Sequence, residues 1–143
     1  MDTIEKCPEN TWNNEHAYWH IVYHALYYTD LYFSQSPDKF IPWAKHRENY
    51  QYLGSVTRDN KPLIIESIYP KNEMLEYAES IFKKCEKSVN ETNLEDKSGF
   101  DWLPMSKLGV HLYNLRHLQH HIGQLIAQLH QAGIRGVKWE KSG

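Results

Sequence analysis

Arg116-His117-Leu118-Gln119-His120-His121-Ile122-Gly123-Gln124 is the stretch whose reading decides the fold. It lies within residues 105–131, a run entered after Pro104 and stopped by Ala132-Gly133, in which apolar residues recur every three or four positions. That spacing predicts a long amphipathic helix, with Gly133 placed to take the left-handed conformation that closes a helix C-terminus. At about 100° per residue, His121, Gln124, Gln128, Tyr113 and Asn114 fall within roughly 60° of His117. Leu115, Leu118, Ile122, Leu125, Ile126 and Leu129 fill the adjoining sector, so a polar seam runs beside the core face. Residues four apart share one face of a helix, and two imidazoles so placed can grip one metal ion. The motif is short, and the pair by itself is also explained by a solvated seam.

The segment of residues 14–34 changes that balance. It has no Gly or Pro, its apolar residues recur at helical spacing, and Ser36-Pro37 ends it, which predicts a second helix. Wheeling it around His24 places Ala17, Ile21, Tyr28 and Leu31 within roughly 60°, so an imidazole stands in the middle of an inward-facing stripe. A neutral core histidine bonded to a tyrosine hydroxyl or a carbonyl is the plain reading. The chemical reading is that His24, His117 and His121 form an open three-histidine site for a divalent transition metal, with positions left for water or substrate. His20 lies about 40° to one side and is the reserve ligand. His120, about 60° from His117 on the other side from His121, is a candidate hydrogen-bonding partner, and His16, His46, His111 and His130 read as edge or surface residues. Gln124 and Arg116 are candidates for orienting substrate or water.

A further helix is predicted over residues 72–89, after Pro70, with Met74, Tyr77, Ala78, Ile81 and Phe82 as its apolar stripe and Lys83, Lys84 and Lys87 in its C-terminal half. Between the first two helices, residues 35–70 hold four prolines and an Asp59-Asn60 turn signal. This reads as a long crossover with a short helix around residues 45–52 and a short extended piece at Leu63-Ile64-Ile65, of the kind that covers functional sites. No alternation long enough for a sheet occurs, so residues 1–143 are expected to form a single all-α bundle domain.

With 143 residues, 41% hydrophobic and 24% charged, the chain has enough apolar content for one core. Ten Tyr and five Trp mean that amphipathic rings supply much of it and require hydrogen-bond partners at their polar ends. A net charge of −2 leaves no basic stripe for nucleic acid. No apolar run approaches the roughly 20 residues that cross a bilayer, and residues 1–11 lack the pattern of a signal peptide. The expectation is therefore a cytoplasmic protein without nucleic-acid or membrane partners. Cys7 and Cys85 form no Cys-x-x-Cys motif and lie in neither histidine cluster, which argues against a thiolate-bearing zinc site.

Two blocks resemble the DinB-like superfamily of metal-binding four-helix bundles, which includes YfiT-type proteins and thiol-dependent transferases. Residues 18–32, YWHIVYHALYYTDLY, resemble its first ligand-bearing helix, with His24 at the ligand position. Residues 116–124 resemble its last-helix motif, with His117 and His121 as the other ligands. The resemblance implies an up-up-down-down bundle, a nickel or zinc site, a low-molecular-weight thiol as cosubstrate, and a homodimer. Two departures stand out. Ile122 occupies a position where many relatives have Arg, and only about a dozen residues precede the first histidine helix. The helix that relatives place there is then absent, supplied by a partner chain, or lost to a truncated start. The functional expectation is a metal-dependent S-transferase or hydrolase acting on a small-molecule substrate; the alternative is a non-catalytic bundle whose metal is structural.

Overall fold

The computed structural model describes residues 1–14 and 17–137. These form five α-helices: α1 (Asp2–Glu5), α2 (Glu9–Trp12), α3 (Tyr18–Tyr32), α4 (Lys71–Glu91) and α5 (Lys107–Gln131). Among the described residues there is no strand, only isolated bridges pairing Val56 with Pro62 and Lys97 with Ser106. The all-α expectation holds at this level. The three long helices fall where apolar periodicity places them, and α3 packs against both α4 and α5.

The boundaries have local causes. Helix α5 starts at Ser106, whose side chain accepts from the Gly109 amide, and ends before Gly133, which takes φ +81° as helix closure requires. Helix α3 begins at Tyr18, later than residue 14, because Ala17 sits in the left-handed region at φ 50° and breaks helical continuity. His16 lies outside the described residues. The expected helix over residues 45–52 is a series of turns, with Asn49 at φ 69°. The extended pairing falls at Val56 and Pro62, beside the predicted Leu63-Ile64-Ile65.

The core is aromatic. Trp12, Tyr18, Tyr23, Tyr69 and Tyr77 are fully buried, and each polar end has a partner, as burial of such groups demands. The Trp12 indole donates to the Tyr69 carbonyl at 2.9 Å, the Tyr18 hydroxyl to the Thr3 carbonyl at 2.7 Å, and the Tyr69 hydroxyl to the Lys45 carbonyl at 2.7 Å. Tyr23 pairs its hydroxyl with His46 Nδ1 at 2.6 Å, and Tyr77 donates to the buried Asp30 carboxylate at 3.0 Å. Through these bonds the crossover is tied onto α2 and α3, and α4 onto α3.

Two apolar expectations are corrected. Phe82 is 79% exposed and Leu115 is 53% exposed. The apolar sectors of α4 and α5 are wider than the surface α3 covers, and Phe82 stands at the edge of a groove bounded by α1, α3, α4 and α5. Among the described residues no helix is long and apolar enough to cross a membrane.

Candidate metal centre

Helix α3 carries His24 on the face it turns toward α5, and α5 presents His117 and His121 one turn apart. The Nε2 atoms of His24 and His117 lie 3.2 Å apart, and those of His117 and His121 lie 3.1 Å apart. All three rings offer a ligand nitrogen within 4.8 Å of the others. Nitrogens bound to one zinc-like ion at about 2.0–2.1 Å, with angles between octahedral and tetrahedral, are separated by about 2.9–3.4 Å. Both measured separations fall in that interval.

The outer nitrogens fix the ring orientations. His24 Nδ1 lies 2.7 Å from the Gln51 carbonyl oxygen. That oxygen only accepts, so Nδ1 carries the proton and Nε2 turns a bare lone pair inward. His121 Nδ1 donates likewise to Gln124 Oε1 at 2.8 Å, freeing a second lone pair. His117 can donate from Nε2 to one of these neighbours but not to both, which leaves at least one inward lone pair unmatched without a cation. Its own Nδ1 is buried and has no hydrogen-bond partner.

Burial, with a smaller contribution from the neighbouring imidazoles, pushes His24 and His117 down to about 4, and burial lowers His121 as well. All three are neutral at pH 7, the form that binds metals. The donor set fits a borderline divalent ion: three imidazoles, no thiolate and no carboxylate.

The other histidines separate cleanly. His20, the reserve ligand, is 6% exposed, stacks on Trp19 at 4.9 Å and donates from Nε2 to the Tyr50 carbonyl at 2.7 Å; it is a satisfied core histidine. His46 is not a surface residue, since it accepts from Tyr23 and packs on Tyr27. His111 is half-buried beside Phe33, with both ring nitrogens buried and unpartnered. His130 is exposed. His120 is exposed and meets His121 edge-on at 5.0 Å, and Arg116 lies over Tyr113 at 5.4 Å. Gln124 bonds His121, a different role from the orienting of substrate or water expected of it. The role of Gln51 was not legible, because it acts through a backbone carbonyl that any residue supplies. Cys7 and Cys85 are free thiols outside the cluster.

No family model, no curated protein and no solved structure matches the chain.

Burial holds His20, His24, His46, His111, His117 and His121 below the ordinary imidazole pKa. The unfolded chain therefore binds more protons than the folded one as pH falls through about 6.5, and folding stability declines with it. The thermal midpoint of metal-free protein is expected to drop by about 5 °C or more between pH 7.5 and pH 5.5. A midpoint that is flat or rises on acidification contradicts the neutral, buried assignment.

Proposed function

We propose that the protein is a DinB-like metal-binding bundle of up-up-down-down arrangement, and that His24, His117 and His121 hold a divalent ion, nickel or zinc, in an open site. The observation that carries this reading is the convergence of three Nε2 atoms, two of them stripped of protons by Gln51 and Gln124. A divalent ion held there supplies the Lewis acidity that lets a low-molecular-weight thiol, or water, ionise near neutral pH.

The residues around the site favour the thiol. Hydrolysis calls for a carboxylate general base beside the nucleophile, and among the described residues no carboxylate hydrogen-bonds to the three histidines. A thiol near its ordinary pKa of about 8.5 needs only modest help to become a thiolate. His24 and His121 are held in fixed tautomers, so they coordinate without first losing a proton, and the protein's contribution is positioning.

The test uses cobalt(II)-loaded protein titrated with 2-mercaptoethanol. The visible spectrum is expected to shift and a sulfur-to-cobalt charge-transfer band to appear, as an open coordination position allows. A spectrum unmoved by thiol would identify a saturated ion and support the non-catalytic alternative.

A further inference from the structure

A cleft of about 580 Å³ lies along the C-terminal half of α3, within the size range of small-ligand sites, and its lining stops one residue short of the histidine centre. Two residues join it to the centre. Tyr28 lines the cleft and packs its ring 4.8 Å from His24 and 5.6 Å from His117. Gln51 grips His24 with its carbonyl and also lines the cleft.

The chemistry of the cleft is specific. Tyr28 and Tyr32 of α3 form one wall, their rings 6.1 Å apart and inclined by 32°, and Trp102 adds a third ring to the lining. Arg58, from the crossover, is the single charged residue lining the cleft. It is exposed, no carboxylate among the described residues pairs with it, and its charge is felt at the Tyr28 hydroxyl. An unpaired guanidinium among aromatic walls matches a carboxylate or phosphate by paired hydrogen bonds, and the rings match a flat apolar body.

We infer that this cleft is the substrate site of the histidine centre, and that its substrate is a small organic anion: a planar apolar body with a carboxylate or phosphate held by Arg58. As a substrate assignment this rests on the metal-centre reading, whereas the binding chemistry of the cleft stands without it.

Isothermal titration calorimetry on metal-free protein tests it with 2-naphthoate, 2-naphthyl phosphate and the neutral 2-naphthylmethanol. At least one anion is expected to bind about tenfold or more tightly than the alcohol, and the tighter of the two identifies the anionic group. Arg58→Gln, on the surface and outside the core, is expected to remove that preference while keeping the alcohol's affinity. Trp102→Ala is expected to weaken all three. Equal affinity for anion and alcohol, a preference that survives Arg58→Gln, or no binding of any probe overturns the inference. His130→Ala, at an exposed residue outside both the centre and the cleft, should bind the anion within twofold of the unaltered chain. Metal loss with naphthoate binding intact would leave the cleft standing, and metal binding without naphthoate binding would overturn the cleft alone.

Discussion

His117→Ala is expected to reduce bound nickel or zinc from about one ion per chain to near zero, measured by elemental mass spectrometry on tag-free protein. His117 is the residue both others meet, at 3.2 Å and 3.1 Å, so its removal leaves only two imidazoles, their rings 4.6 Å apart, to hold the ion. Loss of a hydrogen-bonding partner behind a ligand typically weakens metal affinity by about 10–100-fold, and loss of the ligand itself exceeds that. Gln124→Ala should therefore fall between the unaltered chain and His117→Ala, because it frees the His121 ring without removing it. His24→Ala should match His117→Ala. His46→Ala and His130→Ala should keep about one ion per chain, since His46 is engaged with Tyr23 and His130 faces solvent. Equal metal loss across all of these, or retention in His117→Ala, would reject the assignment.

The residues that converge on the centre were legible because helical periodicity is a strong local signal. Three long apolar patterns placed three helices, and wheels drawn on two of them selected His24, His117 and His121 over six other histidines. The failures cluster where the backbone leaves that periodicity. Ala17 shortens α3 by adopting φ 50°, a conformation its side chain does not favour. The turns of residues 45–52 fooled a propensity reading because their conformation is set by tertiary bonds, with Tyr50 accepting from the amides of Glu66 and Ser67. His20 was separable from a ligand, and His46 from a surface residue, only after their partners were visible: a carbonyl from the crossover in one case, a core tyrosine in the other. The one-turn helices α1 and α2 were likewise invisible, since a four-residue helix carries less than two turns of pattern. Their burial of Ile4 and Trp12 comes from packing against the long helices.

Tyr77→Ala is expected to destabilise the fold by about 3–5 kcal/mol, the range for deleting a buried aromatic ring, as measured by urea unfolding. Tyr77 is fully buried on α4, stacks on Trp43 of the crossover at 4.7 Å with ring planes 6° apart, and packs near Tyr23 of α3 at 6.3 Å. One ring thus joins three segments, and its loss opens a cavity that fixed helices cannot close. The hydroxyl has a separate role. It donates to Asp30 Oδ2 at 3.0 Å, while Asp30 Oδ1 accepts from Lys84 at 2.8 Å. The Asp30 side chain is 2% exposed and Lys84 is half exposed, so the lysine reaches in from solvent to a carboxylate that depends on both partners. Tyr77→Phe keeps the ring and removes one of them, and should cost about 1–3 kcal/mol. The two variants separate packing from polarity: a large loss in Ala with a small one in Phe assigns the ring as the joint between crossover and bundle. Equal losses would shift the weight onto Asp30. The consequence reaches the metal centre, because Trp43 and Tyr77 anchor the same crossover whose Gln51 carbonyl holds His24. Tyr77→Ala is therefore expected to weaken metal binding at temperatures where the chain is still folded, although Tyr77 touches none of the three histidines.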